Sequence, residues 1–197
     1  MKDPKAATEG GTRWRRFAAA IVPAVVIVGA LGAGIASGAV PISLNVSGVQ
    51  FKVTADVLTG TDFVQYGSLV QQKAGTPHAV AVSEIGSADL TNLCQSVAQP
   101  TPLGTVVLKL TAGKDPNTPA HADNLLIDMT QLSGDATFTN INIGQDASTL
   151  SRKGPAGGFG QGADKVVIKN LSQTAWATTA GTFTLPGLNL SLGSSGC

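Results

Sequence analysis

Apolar side chains recur at every second position along much of this chain. In Val49–Val57, VQFKVTADV, the residues Val49, Phe51, Val53, Ala55 and Val57 fall on one side, and Gln50, Lys52, Thr54 and Asp56 on the other. A two-residue period predicts a strand with one dry face. Ile42, Leu44 and Val46 alternate with the opposite parity, and the phase changes at Ser47-Gly48, where glycine permits a bulge or bend. Val106, Leu108 and Leu110 alternate around Lys109, while Ala79–Val82 and Val166–Ile168 are shorter apolar runs. Phe138 shifts phase to Ile141 and Ile143 across Asn140. Phe183 and Leu185 shift to Leu188, Leu190 and Leu192 across Pro186-Gly187, which predicts a turn. The turn formers GTPH, GKDPNTP and GPAGGFGQG divide these segments. The pattern predicts roughly eight to ten strands and an all-β domain.

One segment is ambiguous. Ser87–Val97, SADLTNLCQSV, places Leu90, Leu93, Cys94 and Val97 at helical spacing, with Ser87 as a cap. A recurrence favours a strand instead. Ala followed by Asp and then by apolar residues appears as TADVLTG, SADLTNLCQ, HADNLLIDM and GADKVVIKNLSQ, with Asp56, Asp89, Asp123 and Asp164 spaced by 33, 34 and 41 residues. NLCQ in the second unit matches NLSQ in the fourth, and KVVIKNL is strand-like by composition. Loosely periodic β-units point to a curved sheet, either a β-roll or solenoid-like stack or a sandwich. The recurring Asp is expected to begin a turn or strand and to accept backbone N–H bonds.

A different pattern precedes these strands. Phe17–Val40, FAAAIVPAVVIVGALGAGIASGAV, is 24 residues long without a charge. As a helix it spans about 36 Å, enough for a hydrocarbon core of about 30 Å. Arg13, Arg15 and Arg16 stand just before it, so the basic N-terminus stays inside and the remainder is exported. The run is either a retained transmembrane helix or a signal peptide cleaved near Ala39, where Ser37 and Ala39 are suitably small. The expected organisation is a cytoplasmic basic segment 1–16, a transmembrane helix or signal peptide 17–40, and an extracytoplasmic β-domain 41–197.

Charge and cysteine support that organisation. Charged residues are 13% of the chain, against about 25% in ordinary soluble proteins. The net charge of +1 divides into +3 over the first 39 residues and −2 over the rest. No basic surface large enough for nucleic acid is present. The two cysteines, Cys94 and Cys197, predict one disulfide in an oxidising compartment; free thiols or a crosslink to a partner chain are the alternatives.

Catalytic motifs are sparse. No G-x-S-x-G elbow occurs, and the nearest stretch, the terminal GSSGC, lacks the last glycine and a following helix. His78 and His121 lie in the Pro-containing segments TPHAV and NTPAHAD, where solvated loop histidines are expected, and their separation offers no metal-ligand spacing. The Gly154–Asp164 segment, GPAGGFGQGAD, lacks the Lys-Ser or Lys-Thr of a phosphate loop and is expected to be an exposed loop. Arg152 and Lys153 before it offer an anion contact, and Phe159 a lid, partner contact or core cover. The reading names no catalytic residue, metal or cofactor. Asn170–Leu192 carries no charge. It makes a sheet with one apolar face that is either packed core or an apolar groove. Phe51, Phe138, Trp176, Phe183 and Leu185 are the candidate groove residues for a lipid-like ligand.

Taken together, ADVLTGTDFVQYGS, SEIGSADLTNLCQS, GDATFTNINIGQDAS, NLSQTAWATTAGTFTLPGLNLSL and the Arg-rich N-terminus resemble an actinobacterial family of exported proteins of unknown function, often labelled cholesterol esterase. The resemblance spans nearly the whole chain and carries no catalytic residues. The repeated Ala-Asp units are also similar, at the level of fold alone, to periplasmic lipid-carrying β-jellyroll proteins. The resemblance and the residues together imply an envelope protein that binds a lipid or an envelope partner. A self-assembling surface protein, joined through sheet edges or the Cys197 thiol, and a lipid (sterol) esterase are the alternatives.

Overall fold

A computed structural model describes residues 48–70, 77–102 and 104–197. The basic segment 1–16, the apolar run 17–40 and the Ile42–Val46 alternation lie outside the described residues. Nine strands follow in order: β1 (Phe51–Val70), β2 (His78–Thr91), β3 (Leu93–Thr101), β4 (Gly104–Ala112), β5 (Ala120–Thr139), β6 (Asn142–Asp146), β7 (Phe159–Thr179), β8 (Thr182–Thr184) and β9 (Asn189–Gly193). One 3₁₀ turn, Ala147–Thr149, separates β6 from β7. The ambiguous Ser87–Val97 segment is strand on both sides of Asn92.

Every strand pairing in the single sheet is antiparallel, and β1, β2, β5 and β7 close into a ring. From Thr61, one path round the ring passes Ser87 to reach Asp123 on β5; the other passes Lys165 to reach Thr139. Those two β5 positions are sixteen residues apart, so the strands are steeply tilted and coil about the core. Antiparallel pairing replaces the solenoid-like stack that the recurrence suggested.

Coiling shows in the burial pattern. On β1 the buried positions run Val53, Ala55, Leu58, Gly60 and Phe63; on β7 they run Ala163, Val166, Ile168, Leu171, Gln173 and Ala175. A strict two-residue alternation is therefore broken by three-residue steps, which exchange the faces. For this reason Val57 does not share the inner face with Phe51, Val53 and Ala55, as strict alternation had predicted. Five Asx residues sit at such steps with left-handed backbone: Asp62 (φ 55), Asn92 (φ 51), Asn124 (φ 50), Asn140 (φ 54) and Asn170 (φ 52). Asn and Asp tolerate this conformation better than other side chains. Neighbouring strands step together. Asn170 stands opposite Asp56, and Asp62 opposite Asp164, without loss of register.

The Ala-Asp recurrence now has a physical basis. Ala55, Ala88, Ala122 and Ala163 are buried in the core, and each following Asp points outward from within a strand. Asp56 accepts from the Asn92 amide at 3.2 Å, and Asp164 from Asn140 at 2.7 Å. Asp89 and Asp123 flank His121. These aspartates thus serve side chains, those of Asn92, Asn140 and His121, and not the backbone N–H groups of turns.

Leu58, Leu93, Leu171 and Val166 are the largest fully buried side chains of the ring interior. Truncating any of the three leucines to alanine is worth about 2–5 kcal/mol. A second, smaller cluster joins Val64, Ala147 and Leu150 to Tyr66. It forms where residues 147–158 strap across the outside of the ring. Gly160 and Gly162 leave room for Leu150, and a Cβ at Gly154 would stand 2.7 Å from the Tyr66 ring. The glycine-rich segment is therefore no simple exposed loop. Its first half is this strap and its second half, from Phe159, belongs to β7.

Candidate functional site: an apolar wing

Beyond the ring, β3, β4 and β9 extend the sheet from the start of β1 as a wing. Directly opposed residues of antiparallel strands share a face. One row runs Phe51, Val97, Leu108, Leu192, and the next runs Val53, Gln95, Leu110, Leu190. Burial falls steadily along these rows. Val53 is 5% exposed inside the ring, while Leu190 and Leu192 at the rim are 61% and 72% exposed. Val106, Leu108, Phe183 and Leu188 add further exposed apolar surface. The core face therefore continues, without a break in chemistry, onto an open sheet. Large contiguous patches of this kind are uncommon on monomeric proteins and mark interaction surfaces.

The other face of the wing has a different composition. Its row runs Lys52, Ser96, Lys109, Ser191. The C-terminal tail crosses it, fixed by the Cys94–Cys197 disulfide. The Cys197 N–H donates to Ser96 Oγ at 3.0 Å, and Lys52 Nζ donates to the Cys197 carbonyl, also at 3.0 Å. Lys109 Nζ reaches the Gly196 carbonyl at 3.4 Å. Two cations and a crosslink thus hold the back of the wing, and the front carries only apolar and neutral residues.

Where wing meets ring, a narrow crevice of about 20 Å³ is lined by Val53, Leu93, Gln95, Ile127, Thr178 and Phe183, among others. That volume admits about one water molecule. Thr178 Oγ1 there is buried and without a hydrogen-bond partner. The interior is thus packed core, and the apolar face of the core reaches solvent on the wing; Leu69, Ile143 and Phe159 are exposed elsewhere. Gly113 hinges the approach of the last segment. It adopts φ +61, donates its N–H to the Pro186 carbonyl at 2.8 Å, and would have its Cβ driven into the Ala120 backbone nitrogen.

The five aromatic and aliphatic residues expected to form the groove are dispersed. Phe183 lies on the crevice rim, Phe51 begins the outermost row, and Leu185 packs partly buried against the core. Phe138 instead packs on Phe63, ring centroids 5.4 Å apart. Trp176 occupies a bulge between the Asp128–Ala177 and Met129–Ala175 pairs and stacks on His78 at 4.5 Å. The exposed leucines of β4 and β9 were present in the sequence as alternating runs, but their pairing across some eighty residues was not readable there.

Polar clusters elsewhere are largely paired internally, although the buried Arg152 Nε has no hydrogen-bond partner. Beneath the strap, Tyr66 donates to Glu84 at 2.7 Å, while Arg152 contacts Glu84 at 3.5 Å and donates to Asn124 at 2.7 Å. Burial, followed by the bond to Glu84, raises the Tyr66 phenol pKa; burial and then the Glu84 charge raise that of Asp128. Arg152, a candidate anion contact from sequence, is engaged by these internal partners. His121 and His78 are strand residues, not loop residues. His121 Nδ1 lies 2.8 Å from Asp89 and its Nε2 lies 3.3 Å from Asp123. The bond to Asp89 is the main cause of its raised pKa; desolvation opposes it, and Asp123 adds to it. With both nitrogens facing carboxylates, the protonated imidazole, with its two N–H donors, is the form that satisfies both contacts. Among the described residues, no group of three or more His, Cys, Asp or Glu side chains is placed to hold a metal ion. No helix among them is long and apolar enough to cross a membrane.

In comparisons with known proteins, the family of unknown function DUF6230 matches residues 47–197. No curated protein and no solved structure shows a match.

Proposed function

We propose, from the premise that the chain belongs to the DUF6230 family of unknown function, that it is an exported cell-envelope β-protein whose apolar wing binds a lipid-like ligand or an apolar envelope partner. The observation that carries this reading is the open row of Val106, Leu108, Leu188, Leu190 and Leu192, exposed on one face of a sheet whose other face is stitched down. Leaving such side chains in water forgoes about 1.5–3 kcal/mol for each one that full burial would stabilise. Export rests on the Arg13–Arg16 cluster before Phe17–Val40, which holds the domain at the outer face of the membrane or is removed near Ala39. An actinobacterial source fits the same picture.

Native mass spectrometry of the purified protein tests ligand binding, together with thermal melts in monomeric short-chain phosphatidylcholine. Copurifying lipid, or a raised melting temperature that Leu190→Asp with Leu192→Asp abolishes, is the expected result. Absence of both effects removes the reading.

A second reading has its own observation. β9 ends the strand order, so no strand among the described residues pairs its outer edge, and its five residues carry no charge. An uncharged free edge favours strand-to-strand association between copies. The Cys197 thiol is already joined to Cys94, so assembly would proceed through this edge. Light scattering that rises with protein concentration, and that a lysine at Ser191 suppresses, is the expected signature. The esterase label implied by resemblance finds less support. It requires a base, and both nitrogens of His121 are engaged by aspartates. Retention of ester hydrolysis in His121→Gln and His78→Gln variants would exclude both histidines from that role.

A further inference from the structure

We propose that the wing rests on a lipid bilayer, with its Phe51–Leu192 face turned to the membrane that the N-terminal apolar run enters. This deepens the lipid reading above and depends on it. Three observations converge. First, the chain carries no charged residue from Phe17 through Phe51; the first is Lys52. Phe51 begins the apolar row, while Lys52 begins the opposite one. The charge boundary of the sequence is therefore also the boundary between the two faces of the wing.

Second, only ten residues, PISLNVSGVQ, separate Val40 from Phe51. Fully extended, they reach at most about 36 Å. A domain held on so short a link stays beside the membrane, and its first strand begins where the wing joins the ring. Third, the exposure gradient runs the right way. Of the wing's own apolar side chains, Leu190 and Leu192, farthest from the ring, are the most exposed. Among the described residues, the front of the wing offers no cation or carboxylate that would have to be desolvated at the bilayer interface. Apolar side chains on one face, with polar groups on the other, are what binding in the plane of the interface requires.

The test uses the full chain in vesicles of phosphatidylcholine and phosphatidylglycerol in which part of the lipid carries brominated acyl chains. Bromine quenches tryptophan fluorescence only on contact. Leu192→Trp is compared with Leu69→Trp, an exposed position near the far end of β1, and with the parent, whose Trp14 and Trp176 set the background. Leu188→Trp replaces Leu192→Trp if the far-ultraviolet spectrum of the latter departs from the parent. At least twofold more quenching at the wing position than at Leu69→Trp is expected. Equal quenching at the two positions overturns the proposal. So does a wing tryptophan shielded both from bromine and from aqueous acrylamide, which would place a second copy on the face. Short-chain phosphatidylcholine separates the two levels of the argument. If it stabilises the protein while wing quenching is absent, ligand binding stands and bilayer docking falls. If neither effect is seen, both fall.

Discussion

Asn170 shows how single residues set the course of long strands. Its backbone is left-handed at φ 52, it stands between buried Ile168 and Leu171, and its amide donates to Asp135 at 2.9 Å. Left-handed backbone costs most side chains about 1–2 kcal/mol, but not glycine. Asn170→Ala is therefore expected to destabilise by about 1–2 kcal/mol plus the lost hydrogen bond. Asn170→Gly should lose less, and denaturant unfolding of the two variants measures the difference. His121 gives a pH-dependent counterpart. Its folded pKa is raised, so its contribution to stability is fully present below the ordinary value of about 6.5 and is lost as pH rises through the folded pKa. The melting-temperature gap between the native protein and His121→Gln should be wider at pH 5.5 than at pH 8.5. The phase change at Asn140 was legible in the sequence because apolar residues flank it on both sides. The partners of the aspartates were not, because Asn92 lies 36 residues from Asp56 and His121 lies 32 from Asp89.

At the scale of elements, the wing depends on a covalent anchor. The Cys94–Cys197 bridge spans 103 residues and fixes the tail behind β3 and β4. Closing a loop of that size stabilises by up to about 4.7 kcal/mol in the chain-entropy picture, and typical disulfides give about 2–4 kcal/mol. Reduction, or Cys94→Ser with Cys197→Ser, should lower the unfolding midpoint accordingly. Hydrogen exchange at β4 and β9 should rise before exchange at β1 and β7, because the ring keeps its own core. The pairing was foreseeable from there being just two thiols, and the strand character of β2 and β3 from the NLCQ and NLSQ match. The strap was not foreseeable. GPAGGFGQG reads locally as a loop, and only the Tyr66 ring and Leu150, distant in sequence, explain why glycines stand at Gly154, Gly160 and Gly162.

At the scale of the molecule, one apolar surface has two fates. Within the ring it is closed by β1, β2, β5 and β7; on the wing the same face opens to solvent. Alternation in the sequence was enough to predict strands and a greasy face. It could not say which leucines would be left outside, because that depends on β9 pairing with β4 at the sheet margin. The aromatic residues drew attention by size, yet Phe138 and Trp176 found partners in Phe63 and His78. The smaller aliphatic residues of two short strands form the open surface instead. The proposal that this surface faces lipid is tested most directly by methyl-resolved NMR of the folded protein titrated with monomeric short-chain phosphatidylcholine. Saturable shifts at Val106, Leu108, Leu190 and Leu192, with Val64 beneath the strap and Leu150 within it unmoved, are the expected result. Shifts centred on the strap, or none at the wing, would contradict it.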